Sequence, residues 1–133
     1  SAFMYYLVPR VILFREEHSP RVFVPKVDYV SAPGTSEGVV RPGGPHALLT
    51  GMALFDFDKQ KKRFALRSVH QGYTAADVRA ATGFDYDEPA VVPETKAPSA
   101  ENLALLRGRV TEELSESYPA FADMLRGERR AAA

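Results

Sequence analysis

His46-Ala-Leu-Leu-Thr-Gly-Met-Ala-Leu-Phe-Asp-Phe-Asp58, then Lys59-Gln-Lys-Lys62, then Arg63-Phe-Ala-Leu-Arg-Ser-Val69: this stretch decides the fold. Leu54, Asp56 and Asp58 alternate with Phe55 and Phe57, and Phe64 to Val69 alternates again. A period of two marks a strand with two unlike faces. The polar segment from Asp58 to Lys62 between the two alternating runs predicts a β-hairpin with a longer loop.

Upstream, the composition changes. From Ser31 to Pro45, 7 of 15 residues are Gly or Pro. Proline lacks the amide hydrogen and glycine costs backbone entropy, so helix is excluded and a long loop is expected. Loops of that length are more often functional than accidental. Before it, Val11 to Phe14 is wholly apolar and reads as a strand buried on both faces. Arg21 to Pro25 is a second apolar piece cut by its proline. Val27 to Val30 reads as a third short strand, with a turn at Ser19-Pro20 before it.

Downstream, Thr74 is placed to cap a helix, with Asp77 at its third position. Gly83 is expected to end that helix in the left-handed conformation. Phe84 to Tyr86 should be extended, and Asp87 to Pro98, with three prolines, should run as a linker over the surface. Ser99 caps a second expected helix reaching about Ser117, with Leu103, Leu106, Val110 and Leu114 on one stripe. Pro119 to Leu125 suits a last short helix, since proline is tolerated in a first turn. The tail from Arg129 to Ala133 should be solvated. The order is strands, Gly/Pro loop, hairpin, helices: an α/β open sheet, with strands that lack obvious partners.

The chain has 133 residues, 45% of them hydrophobic and 26% charged, which is the balance of one globular domain. Such a length can bury roughly two thirds of its unfolded surface. The 17 basic and 17 acidic residues cancel, so no net positive field attracts nucleic acid or an anionic membrane. There is no cysteine, which removes disulfides, thiolate metal sites and thiol nucleophiles together and fits a cytoplasmic location. The start, Ser1-Ala-Phe-Met-Tyr-Tyr-Leu-Val8, has no basic leader with a small-residue cleavage site. Pro9, Arg10 and Arg15 interrupt it short of the ~20 residues a membrane span needs. It reads as a cut edge inside a larger sheet.

Few residues present themselves as chemistry. His18, His46 and His70 are too far apart in sequence for a helical metal pair, and surface or turn positions are expected for them. Gly43-Gly44-Pro45 could aim backbone N–H groups at an oxyanion or phosphate, or could simply turn the chain. It has neither the lysine of a phosphate loop nor a strand–turn–helix around it. Asp56 and Asp58 share a strand face; a solvated hairpin side is the simpler reading than an acid–base pair. Lys59, Lys61, Lys62, Arg63 and Arg67 form a basic cluster that could attract the phosphates of a nucleotide-like ligand; a solvated hairpin tip facing those aspartates is the simpler reading. Glu16 and Glu17 lie at a strand end beside a turn, with nothing nearby in sequence to raise a carboxyl pKa.

Arg21-Val-Phe-Val-Pro-Lys-Val-Asp-Tyr-Val-Ser-Ala-Pro-Gly34 resembles a segment of the β subunits of family I coenzyme A transferases, with the glutaconate CoA-transferase type nearest. The similarity continues through Gly44-Pro45, Leu48-Leu49-Thr50, Ala53 to Asp58, Ser68 to Thr74, Asp77 to Phe84, Pro93 to Thr95 and Ala104 to Arg107. It covers about residues 5 to 115. The β subunit of a related hydrolase that opens a steroid ring as its CoA thioester is similar through the same region.

The resemblance implies the C-terminal portion of an open CoA-transferase-type sheet, working as an α/β heteromer with no cofactor beyond the CoA thioester substrate. In that family a β-subunit glutamate attacks the acyl-CoA carbonyl, CoA captures the resulting anhydride, and the glutamyl-CoA thioester passes CoA to an acceptor acid. The glutamate belongs to the preceding half of the β subunit, and no residue here aligns with it, so the catalytic residue is unknown within this chain. The family's aspartate after the hairpin threonine is replaced here by Gly51. The resemblance puts the loop from Ser31 to Pro45 beside the active-site cleft, with Ser31, Gly34, Gly43 and Gly44 lining it. It also explains the unpartnered strands at Val11 to Phe14 and Val27 to Val30, which would pair with the N-terminal half. A ring-opening hydrolase and a non-catalytic partner domain are the alternatives.

Overall fold

A computed structural model describes residues 4–35, 37–38 and 42–127, apart from the side chain of Tyr6. The tail from 129 to 133 and the middle of the Gly/Pro loop lie outside these residues. The chain divides into two compact units, residues 1–95 and 96–133.

The first unit is built on a four-stranded sheet: β1 (Val11–Arg15), β2 (Pro45–Thr50), β3 (Ala53–Asp58) and β4 (Arg63–Val69), in that spatial order. β1 runs parallel to β2, and the remaining pairs are antiparallel. A four-residue helix, α1 (Met4–Leu7), precedes β1. The expected hairpin between β3 and β4 is present, with Phe57 paired to Phe64 and Phe55 to Leu66. A second, tighter hairpin precedes it. The run read as one strand from His46 to Asp58 turns at Gly51-Met52, so Leu49 pairs with Leu54. Thr50 makes this turn, because its hydroxyl accepts from the amides of Met52 (3.2 Å) and Ala53 (2.9 Å). Gly51 is required there: its amide donates to the carbonyl of Glu16, and an added Cβ would lie 2.5 Å from that oxygen. An aspartate at this position has no room in this backbone.

Two strand expectations change. β1 forms, but it pairs within the chain, to β2, and its residues are not buried on both faces. Ile12 is 63% and Phe14 69% exposed. Val27 to Val30 forms no strand, and Tyr29 is 82% exposed. A strand needs a neighbour to accept its ladder, and apolar composition cannot supply one.

One face of the sheet carries the core. Leu48, Ala53, Phe55, Leu66 and Val69 are buried against Val78 of α2 (Ala75–Ala81). Phe23, Phe64, Phe84 and Tyr86 pack around them, with the Phe55 and Tyr86 rings edge-to-face at 5.2 Å. Thr74 and Asp77 form a full capping box at the start of α2. Gly83 does not end the helix in a left-handed turn. Thr82 ends it in extended geometry, and Gly83 instead packs directly on the Phe23 carbonyl, donating its amide at 2.6 Å. The linker from Asp87 is extended as expected and follows the free edge of β4, bridging Ala65 to Asp87 and Val69 to Glu94. Pairing of this kind protects a sheet edge.

The second unit is helical. Ser99 caps α3 (Ala100–Leu105), accepting from the Asn102 amide at 3.1 Å. The expected single helix to Ser117 is interrupted by a π-helical turn, Leu106–Val110, where Gly108 leaves helical geometry (φ −96°, ψ −105°). The hydroxyl of buried Thr111 donates to the Leu106 carbonyl at 2.5 Å, satisfying an acceptor the kink displaces. α4 (Thr111–Ser115) and α5 (Pro119–Arg126) follow, with proline at the start of α5 and left-handed Gly127 after it.

Candidate functional site

Beside the core, where β2 starts and the β3–β4 hairpin ends, the first unit holds an open cavity of about 420 Å³. Its walls are apolar: Val11 and Leu13 from β1, Pro45 from β2, Phe57 from β3 and Phe64 from β4. The Phe57 and Phe64 rings meet at 5.0 Å in edge-to-face contact, so that wall is rigid. Tyr5 closes one side, and the two ends of the Gly/Pro loop supply Ala32 to Thr35 and Gly44.

The loop ends abut because both positions are glycine. A Cβ on Gly34 would sit 3.0 Å from the Pro45 ring, and one on Gly44 would sit 3.1 Å from the Gly34 carbonyl. Gly44 also has φ +114°, a region that L side chains avoid. The Gly44 carbonyl accepts from the Val11 amide at 3.1 Å, tying the loop to β1. Lys59 ties it to the hairpin, with Nζ 3.4 Å from the Pro42 carbonyl and 3.3 Å from that of Gly43.

Of the four residues expected to line a cleft, Gly34 and Gly44 line this cavity. Gly43 is buried immediately beside it, and Ser31 is exposed outside its lining. For Gly43 and Gly44, the groups with partners among the described residues are carbonyls, which clamp the loop end to Lys59 and Val11. The aromatic wall was not singled out from sequence, and Lys62 was read there only as one member of a basic cluster. Their signal lay in the alternation itself, since Phe55 and Phe57 face one way while Asp56 and Asp58 face the other.

The charged candidates resolve into structural pairs. Asp56 meets Arg67 at 3.4 Å. Asp58 accepts from the amides of Gln60 (2.8 Å) and Lys61 (3.0 Å) and shapes the turn. Asp87 takes both Lys61 and Arg63 at 2.9 Å; the hydrogen bond from Lys61 holds its carboxyl below the usual range. Glu17 gathers Ser19, Arg21 and Arg15, and the Ser19 hydrogen bond leads in lowering its pKa. A carboxylate so held is not poised as a general acid.

Two histidines converge on Thr50 at the far end of β2. His18 Nδ1 lies 2.8 Å from Thr50 Oγ1 and Nε2 2.8 Å from Thr82 Oγ1. His70 Nε2 donates to the Thr50 carbonyl at 3.0 Å, while Nδ1 faces Thr95 Oγ1 at 2.8 Å. Every ring nitrogen of the pair has a protein partner, so the two act as struts. Among the described residues no group of three His, Asp or Glu side chains could hold a metal ion.

The open sheet with its helices is matched by solved enzyme structures. Sequence and fold together place the chain among the β subunits of family I coenzyme A transferases and their hydrolase relatives. It is 32% identical over 102 residues to the β subunit of glutaconate CoA-transferase from Acidaminococcus fermentans, covering 71% of this chain and 38% of that protein. The crystal structure of that enzyme superposes with a TM-score of 0.61 at 31% identity, covering 73% and 40% of the two chains. The cholesterol ring-cleaving hydrolase IpdB subunit of Rhodococcus jostii is 32% identical over 98 residues (68% of this chain, 38% of that one). The IpdAB structure from that organism gives a TM-score of 0.67 at 29% identity, covering 74% and 42%. The β subunit of 3-oxoadipate CoA-transferase from Pseudomonas knackmussii is 30% identical over 104 residues (73% and 39%). No protein-family model matches the chain. The chain spans about two fifths of the length of these curated relatives.

Proposed function

We propose that this chain is the C-terminal part of a CoA-transferase-type β subunit. With the N-terminal half and an α subunit, it moves CoA between carboxylic acids by way of acyl-CoA thioesters. The carrying observation is the cavity walled by Phe57 and Phe64 and rimmed by Gly34 and Gly44, in a chain homologous to CoA-transferase subunits. Ser31, Gly34, Gly43 and Gly44 border the cleft in this reading, and the cavity takes the acyl end of the thioester. The nucleophilic glutamate comes from outside these residues, and no cofactor beyond CoA itself is needed. A cytoplasmic site of action fits the substrate; among the described residues no helix is long and apolar enough to cross a membrane.

The test is CoA exchange between an acyl-CoA and a free acid by the assembled α/β protein. Borohydride or hydroxylamine trapping of a glutamyl-CoA adduct supports the transferase; no exchange with any acid overturns it. The likeness to the IpdAB structure favours hydrolysis of a cyclic CoA thioester as the second reading. Thioester loss without exchange and without a trapped adduct would select it.

A further inference from the structure

Around the β3–β4 turn, every cation but one is occupied. Lys59 donates to loop carbonyls, Lys61 and Arg63 meet Asp87, and Arg67 meets Asp56. Lys62 makes no ion pair or hydrogen bond among the described residues, and it lines the cavity. It is also the non-glycine residue with left-handed backbone among the described residues, at φ 55°. Asparagine or glycine would sit there with less strain, so a lysine at this point costs stability that no polar contact among the described residues returns. A strained residue without a structural partner, facing a cavity, is a reason to look for a ligand.

We propose that Lys62 is the anion anchor of this cavity, holding the carboxylate of an acid whose apolar chain lies against Val11, Leu13, Phe57 and Phe64. The proposal takes from the proposed function the reading of the cavity as the acyl end of the site, and it adds the substrate class: free amphiphilic monocarboxylic acids, held as CoA acceptor or released product, since the thioester itself has no carboxylate left to anchor. One cation beside an otherwise apolar wall matches one charge on an apolar body. The nucleotide end of CoA carries several phosphate charges and calls for several donors, whereas the described walls offer one cation. Lysine's compact ammonium does not demand the planar, two-pronged approach that arginine does, so acids of different shape can share it.

The test uses the protein containing this chain, purified with its partner subunit, and calorimetric titration with octanoate, octanamide and free CoA. Wild type should bind octanoate more tightly than octanamide. Lys62→Asn, which suits the left-handed position and should keep the melting temperature, should weaken octanoate about tenfold, as expected for loss of a charge-assisted bond. It should leave octanamide unchanged, and Lys62→Arg should restore octanoate binding. Equal octanoate affinity in wild type and Lys62→Asn overturns the anchor, as does no octanoate binding by wild type. A loss confined to free CoA also overturns it and assigns the charge to a phosphate. If wild type turns over no CoA thioester yet shows the Lys62-dependent preference for octanoate, the anchor stands and the enzymatic reading falls. If the enzyme is active and Lys62→Asn changes nothing, the enzymatic reading stands and the anchor falls.

Discussion

His18 and Thr50 meet at 2.8 Å although 32 residues separate them. The Thr82 hydroxyl spends its own hydrogen on the Val78 carbonyl at 2.7 Å, so it accepts from His18 Nε2–H. Neutral His18 then presents a bare Nδ1 at 2.8 Å, and the single Thr50 hydroxyl hydrogen is shared between that nitrogen and the Ala53 carbonyl at 3.1 Å. Burial lowers the pKa of His18 below its ordinary 6.5, because the charged ring loses hydration. With the folded pKa depressed, the unfolded chain takes up the proton first as pH falls. Stability contributed by neutral His18 is therefore complete above about pH 6.5 and declines below it, levelling once pH passes the folded pKa. The melting temperature should be lower at pH 5.5 than at pH 7.5, and His18→Gln should shrink that difference. An unchanged acid loss in the variant would assign the effect to another group.

Gly83 and the Phe23 carbonyl are too close for any side chain between them. Gly83→Ala should cost about 2 kcal/mol, in the range of overpacked sites, read as a lower denaturant midpoint with unchanged slope. A loss of a few tenths or less would mean that the segment from Arg21 to Pro25 can move aside freely.

The capping box at Thr74 gives a smaller, independent effect. Thr74→Ala removes the acceptor for the Asp77 amide and the donor to the Asp77 carboxylate. It should destabilise the first unit by about 1 kcal/mol. Thr74→Ser should recover most of that in equilibrium unfolding, since the hydroxyl remains.

Gly44→Ala places a methyl group against the Gly34 carbonyl at a backbone angle alanine avoids. The loop end must shift at the rim of the cavity. Displacement of a substrate-positioning segment by about 1 Å can cost roughly 100-fold in rate, so CoA exchange by the assembled protein should fall by about that factor. Full activity in Gly44→Ala, with the variant folded, would separate this cavity from the reaction.

What was legible in the sequence was what nearest neighbours dictate. The alternation at Phe55 and Phe57 exposed the β3–β4 hairpin, and Thr74, Ser99 and Pro119 marked their helix starts by side-chain chemistry. The Gly51-Met52 turn was hidden inside an apolar run, because its cause is the distant Glu16 carbonyl. Gly83 looks like a helix terminator in sequence for the same reason: a glycine's local freedom is visible there, but the backbone it must approach is not. Half of the expected cleft residues line the cavity, while its aromatic wall and Lys62 passed for ordinary hairpin residues.

Local period, capping and turn chemistry, all set within a few residues, determined by sequence alone that this is an α/β chain with a Gly/Pro loop before a hairpin. Tertiary structure alone decided which groups meet. It joined Gly34 to Gly44, placed His18 on Thr50, paired three of the five cations around the hairpin turn with carboxylates and a fourth with loop carbonyls, and left Lys62 lining a cavity. Those outcomes depend on contacts across tens of residues, where packing and charge pairing are settled in space rather than along the chain.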